Sequence, residues 1–215
     1  MSPSPNRAIE FFNAQFQRQA AAGDYALNPF EKAILPFVSG DVLDLACGLG
    51  NLSMAAAAKG CRVTALDASP AGIADLTRRA AKQGLSITAR QADLRNFTLE
   101  GQFDSVIVIG LLMFFAKRDA LQALARLKEL TKPGGIAAVN TLIDGTTYLD
   151  FFEPGEHCLF GENELPNAFV GWRLEYLNFE SFPAPNRTVK RFCTLVARRP
   201  VAEFRSEPRP KGSGF

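Results

Sequence analysis

Val42-Leu-Asp-Leu-Ala-Cys-Gly-Leu-Gly50 is the stretch on which the reading of this chain turns. Val42 to Leu45 suits a buried parallel strand. Gly48 and Gly50 let the backbone turn sharply and approach a ligand, and the Ala-rich run Asn51 to Lys59 suits the helix that follows. The free N–H groups at the start of that helix would face an anionic group, a carboxylate or a phosphate. Taken alone the Gly-x-Gly is a weak sign, because Ser53 stands where the dinucleotide fingerprint G-x-G-x-x-G/A wants a third small residue. A nicotinamide dinucleotide therefore stays possible. Asp44 separates the readings: at the strand end, four positions before Gly48, its charge opposes a pyrophosphate and accepts from an amino group. The expected ligand carries both an ammonium and a carboxylate.

Moving outward, Cys61-Arg-Val-Thr-Ala-Leu-Asp67 is a second β-rich run ending in an acid, placed to accept hydrogen bonds from both hydroxyls of a ribose. Ser69-Pro70 gives an N-cap and a proline at the first helical position, opening a helix that Gly84 closes. A third strand near Leu85 to Arg90 runs into Gln91-Ala-Asp93-Leu94, a further carboxylate suited to an exocyclic amine such as that of adenine. Three acids on three successive strand ends describe a nucleoside that carries an amino acid.

These residues resemble the class I S-adenosylmethionine-dependent methyltransferases, through Asp44-Leu-Ala-Cys-Gly48-Leu-Gly50, Ala65-Leu-Asp67-Ala-Ser69, Gln91-Ala-Asp93-Leu94, Phe103-Asp104-Ser-Val-Ile-Val-Ile109 and Lys132-Pro133-Gly134-Gly135. The motifs cover about half the chain in the family's order and spacing. The resemblance implies S-adenosylmethionine as cofactor, with Asp44, Gly48 and Gly50 at its methionine portion, Asp67 at ribose and Asp93 near adenine. Ala68 and Leu94, beside those acids in the same motifs, are carried with them to the cofactor. Singly, the glycines read as a tight turn and the acids as helix caps or solvated loop residues; jointly they favour the cofactor. Lys132-Pro-Gly-Gly135 reads only as a helix stop and turn before the fifth strand.

Size and composition agree. A chain of 215 residues, 47% hydrophobic and without a long apolar run, is sized for one soluble α/β domain and holds no membrane span. A net charge of +2 with no long Lys/Arg cluster gives no nucleic-acid footprint, leaving a small-molecule substrate. The N-terminus lacks an apolar signal core, and the four cysteines follow no metal-ligand spacing. A reducing cytoplasm, no structural disulfides and no metal are expected.

Strand and helix alternate along the chain, which predicts a Rossmann-like, doubly wound, mostly parallel seven-stranded sheet with helices on both faces and the last strand antiparallel. Residues 1–38 form an N-terminal helical cap: Ile9 to Ala21 is amphipathic, with Ile9, Phe12 and Phe16 on one side, and Asn28-Pro29 starts a helix that ends near Leu35, ahead of Pro36. These two helices are expected to cover the cofactor edge. Residues 39–142 make the cofactor-binding half, with Ser105 to Ile109 and Ile136 to Leu142 as fourth and fifth strands. Between them runs a helix, Arg118 to Leu130, whose Leu121, Leu124 and Leu127 are spaced for the core. Residues 143–200 make the substrate-side half. It holds an aperiodic stretch from Asp144 to Glu164, long enough to be functional, and two last strands, Trp172 to Phe179 and Val189 to Ala197. A disordered tail is expected over 201–215, and no internal repeat is visible.

Within the superfamily the chain is most similar to the tellurite-resistance methyltransferases. The match lies in Tyr25, Leu112-Met113-Phe114, Asp144 with Tyr148, Phe160-Gly-Glu-Asn-Glu-Leu165 with Gly171-Trp172, and Arg187 ahead of Arg191-Phe192. The resemblance implies methylation of a chalcogen oxyanion or a small thiol, and it makes Arg187 an active-site anion holder. The histidine that the family places shortly before that arginine is absent. The only histidine, His157, lies in the aperiodic stretch and reads as a partly exposed loop residue before it reads as a base. Tyr148 is a second catalytic candidate and Tyr25 a cofactor contact: an aromatic face attracts a sulfonium and a phenol can orient an acceptor, although either ring could simply cap the core. The scattered cysteines speak against arsenite as acceptor. The expected chemistry is direct displacement of the methyl group, governed by alignment, desolvation and charge placement. A nicotinamide-dependent oxidoreductase and a non-catalytic protein that binds the cofactor are the alternatives.

Overall fold

The computed structural model describes residues 7–95, 99–152 and 157–201. Seven strands join in one sheet of order β3-β2-β1-β4-β5-β7-β6. They are β1 (Asp41–Leu45), β2 (Arg62–Asp67), β3 (Ile87–Gln91), β4 (Phe103–Ile109), β5 (Thr131–Leu142), β6 (Arg173–Ala184) and β7 (Thr188–Arg198). β1 pairs parallel with β2 and β4, β2 with β3 and β4 with β5, whereas β7 runs antiparallel between β5 and β6. The predicted doubly wound sheet with an antiparallel last strand is the one observed.

Side-chain alternation along the strands divides the core into two layers. Leu43, Leu45, Val106, Val108, Ala137 and Val139 pack on one face beneath helix α5 (Lys117–Leu130). Val42, Ala65, Ile107 and Ala138 pack on the other, against α3 (Asn51–Ala58) and α4 (Pro70–Gln83). In α5 the buried positions are Ala120, Leu124, Leu127 and Leu130, an i, i+4, i+7 stripe; Leu121, expected in the core, is 42% exposed because it falls one residue off that stripe.

The two N-terminal helices, α1 (Arg7–Ala22) and α2 (Pro29–Ile34), lie where expected, across the strand ends that hold the glycine loop. Asn13 fixes α1: its Oδ1 accepts from Ser69 Oγ at 2.7 Å and from the Ala71 N–H at 3.1 Å, at the start of α4. α2 opens on a capping box, Asn28 and Glu31 each accepting the other's backbone N–H.

Two readings needed revision in detail. Lys132-Pro-Gly-Gly135 is not a turn ahead of β5 but lies inside it, where the register against β4 slips between Phe103 and Ser105 and Gly134 takes φ +77°. β6 is five residues longer at its C-terminal end than expected, because Glu180, Ser181, Phe182, Pro183 and Ala184 continue the ladder with β7. The aperiodic stretch is partly ordered by the Ile143–Phe160 bridge and by the short helix α6 (Glu164–Ala168). Of the tail expected over 201–215, residues 202–215 lie outside the described residues. Among the described residues no helix is long and apolar enough to cross a membrane.

Candidate functional site

The strand order reverses between β1 and β4, and the crevice beyond the carboxyl ends of the strands at such a switch point is where ligands bind in open α/β sheets. Here that crevice is a cavity of about 500 Å³. Its floor carries Asp44 at the end of β1, Gly48 in the loop, Asp67 and Ala68 at the end of β2, and Asp93 and Leu94 after β3. Six of the eight residues expected at the cofactor line the cavity; Gly50, one residue past the lining Leu49, shapes the turn without lining it, and Tyr25 lies elsewhere.

Both glycines have left-handed backbones, φ +56° at Gly48 and +68° at Gly50. A Cβ at Gly48 would meet the Phe16 ring of α1 at 2.8 Å, and one at Gly50 would meet Leu76 of α4 at 2.5 Å. The glycines are thus demanded by turn geometry and by the helices closing over the loop. Asp67 braces the same loop, its two carboxylate oxygens accepting from the N–H groups of Gly48 (2.8 Å) and Ser69 (2.7 Å).

Electrostatics show what the floor wants. Asp44 is 4% exposed, and its carboxyl is pushed up to about 7, chiefly by burial, with Glu31 and Asp67 adding repulsion and the 2.6 Å bond from Ser53 Oγ opposing. Burial also raises Asp67 and Glu31 against the backbone N–H groups that each accepts. Three clustered acids whose carboxyls burial raises favour a cationic ligand and disfavour the pyrophosphate of a dinucleotide. The side-chain oxygen of Asn51, also on the cavity wall, is buried without a partner among the described residues. This donor set fits a group with an ammonium and a sulfonium. Asp93 differs: the guanidinium of Arg95 holds its carboxyl below the usual range, and it faces solvent at the cavity edge.

The opposite half of the cavity is aromatic. Phe12 of α1, Phe30 of α2, Phe114 after β4, Tyr148 and Phe151 after β5, and Phe192 of β7 line it. Phe12 meets Phe114 edge-on at 5.6 Å, and Phe30 lies 4.7 Å from Phe192. Tyr148 is therefore at the site. So is Lys190, whose Nζ sits 5.0 Å above the Tyr148 ring and 6.0 Å from Phe151. Asn140 at the end of β5 completes the wall; it is 1% exposed, donates to Thr194 Oγ1 at 2.9 Å, and leaves its oxygen without a partner among the described residues.

Two expected site residues stand elsewhere. Arg187 is at the exposed tip of the β6–β7 hairpin, outside the cavity lining, and with Asn186 it takes a left-handed backbone, φ +59° and +58°. The hairpin needs a turn at Pro185–Arg187, and that turn carries the arginine away from the crevice. Tyr25 also misses the cavity. Its ring lies under Arg79 at 4.1 Å and its hydroxyl reaches Asp75 at 3.3 Å. Arg79 in turn bonds Asp75 and the Leu49 carbonyl, so Tyr25 backs a brace on the glycine loop. His157 stacks on Phe152 with ring centroids 5.0 Å apart and is not among the lining residues.

Sequence reasoning missed Glu31, Asn140 and Lys190. Strand alternation held the signal for Lys190: it lies two residues before Phe192 in β7 and hence on the same face. Glu31 was legible only as a helix cap.

Fold and floor together are similar to those expected of a class I methyltransferase domain that holds S-adenosylmethionine. Residues 42–135 match the family model described as a methyltransferase domain. The chain is similar to the probable S-adenosyl-L-methionine-dependent methyltransferase TehB of Haemophilus influenzae, 27% identical over 199 residues, covering 88% of this chain and 66% of TehB. The crystal structure of that TehB superposes with a TM-score of 0.72 at 23% identity, covering 84% of this chain and 65% of the other. The ubiquinone biosynthesis O-methyltransferase of Caulobacter vibrioides is 38% identical over 130 residues, covering 58% of this chain and 51% of that protein. The N-methyltransferase NodS of Bradyrhizobium japonicum, solved in complex with S-adenosyl-L-homocysteine, shares the fold at a TM-score of 0.65 and 17% identity, over 88% of this chain and 98% of its own. The chain thus spans between half and two thirds of the sequence relatives named here.

Proposed function

We propose that the protein transfers the methyl group of S-adenosylmethionine to a small soft nucleophile, a thiol or a chalcogen oxyanion such as selenite or tellurite, by direct displacement. The observation that carries this reading is the chemistry of the acceptor half. Among the described residues that line it at the ends of β4, β5 and β7, Tyr148 and Lys190 are the titratable groups, and no histidine–carboxylate pair faces it. A hydroxyl acceptor needs a base to become nucleophilic, whereas a thiolate or a selenite lone pair does not. When bound, the cofactor supplies an electrophilic methyl group. Asp44 and Glu31 would hold its cationic end and Asp67 its ribose, while Phe12, Phe114 and Phe192 exclude water from the acceptor side. Similarity to the tellurite-resistance methyltransferases supports the oxyanion arm. The four cysteines are buried and split between the two faces of the sheet, so they form no thiolate trio for arsenite.

The test is formation of S-adenosylhomocysteine on mixing the protein and S-adenosylmethionine with selenite, tellurite or a panel of small thiols. Turnover with one of these, and none with matched alcohols, is expected; preference for the alcohols would refute the reading.

A further inference from the structure

Lys190 is a cation in an aromatic wall. Its ammonium lies over the Tyr148 and Phe151 rings, and it forms no ion pair with a carboxylate among the described residues. By contrast Arg191, its neighbour on the opposite face of β7, bonds the Asp144 carbonyl and Glu162. The ammonium is half-buried on the cavity wall with no carboxylate paired to it among the described residues, so the anionic group of a ligand in the cavity can pair with it. The walls argue equally about what accompanies that charge. A bare oxyanion needs several convergent N–H or O–H donors, and this half offers Lys190, the Tyr148 hydroxyl and the Asn140 amide against a continuous surface of phenylalanine rings. Flat rings stack edge-on and offset against other flat rings.

We propose that the aromatic half of the cavity takes an acceptor with a ring-bearing, apolar body and an acidic group, the body packed among Phe12, Phe114, Phe151 and Phe192 and the acidic group paired with Lys190. This rests on the methyl-transfer reading above and narrows its acceptor to an aromatic thiol with an acidic substituent. In the transfer itself the thiolate sulfur forms a bond to the methyl carbon while the carbon–sulfonium bond breaks, its electron pair staying on the cofactor sulfur to leave a neutral thioether. An aromatic thiol is already ionised near neutral pH, its proton lost to solvent before binding.

The probes are 4-mercaptobenzoate and its neutral isostere 4-mercaptobenzamide, titrated calorimetrically into protein saturated with S-adenosylhomocysteine. The carboxylate is expected to bind at least tenfold more tightly in the wild type. Lys190→Met should erase that preference and Lys190→Arg should keep it, with affinity for S-adenosylhomocysteine as the control for folding. Equal affinities in the wild type, or a preference that survives Lys190→Met, would overturn the inference. Conversion of selenite with neither thiol bound would overturn it too, while sparing methyl transfer to a soft nucleophile. Carboxylate binding as expected, with no S-adenosylhomocysteine formed from S-adenosylmethionine, would uphold it and refute the methyl-transfer reading.

Discussion

Burial takes the Asp44 carboxyl from an unfolded value near 3.8 to about 7, so the folded, ligand-free protein binds this proton more tightly than the unfolded chain. Its contribution to stability is fully present below about pH 4 and is lost as pH rises through 7, a swing of about 4 kcal/mol at most. Asp44→Asn, which can still accept from Ser53, should therefore be more stable than wild type at pH 8, with the advantage shrinking towards pH 5 in denaturant titrations; a constant difference would contradict this. An ammonium ligand reverses the preference by favouring the ionised carboxylate. Cofactor affinity should fall as pH drops from 8 to 6 in the wild type and depend less on pH, at a weaker level throughout, in Asp44→Asn. Arg187 supplies the contrast. Exposed at a hairpin tip, it should tolerate Arg187→Ala within about 0.5 kcal/mol, with acceptor use unchanged; an acceptor-specific loss in steady-state kinetics would return it to the active site.

Each element that closes the cavity does so through a small number of contacts. α1 is tied down by Asn13 on Ser69 and Ala71, and by Phe16 over Gly48. Asn13→Ala should cost about 1 kcal/mol and speed hydrogen exchange across α1, with cofactor affinity falling alongside; exchange unchanged in α1 would mean that packing alone holds the helix. Gly50→Ala faces both a left-handed backbone and Leu76, and should cost about 3 kcal/mol in thermal or denaturant unfolding; a loss below about 1 kcal/mol would show that the loop relaxes freely. What could be read from sequence follows from how local the signal is. The strand–glycine–helix unit, the Ser69 cap and the Gly84 stop are written within a few residues of one another, and all appear. The position of Tyr25 depends on Arg79 and Asp75, some fifty residues away, and no local pattern announces that brace. Arg187 was assigned by resemblance, although Pro185-Asn186-Arg187 carries the chemistry of a turn.

At the scale of the whole molecule, the reversal of strand order opens one crevice whose two walls differ in character. Carboxylates from β1, β2 and α2 make one wall, and phenylalanines with a lone lysine make the other. Asp44 and Asp67 of the acid wall were legible because each ends a β-rich run; Glu31, on α2, was not. The aromatic wall was not, because its members come from α1, α2, the segments after β4 and β5, and β7, and only the fold brings them together. That division is what the proposed methyl transfer asks for: acids for a cation on one side, an aromatic receptacle for the nucleophile on the other. The decisive measurement is calorimetric titration of the protein with S-adenosylmethionine and S-adenosylhomocysteine, with NAD⁺ and NADH in parallel. Micromolar binding of the first pair and none of the second is predicted; binding of the dinucleotides, or of neither pair, would contradict the cofactor assignment on which everything else here depends.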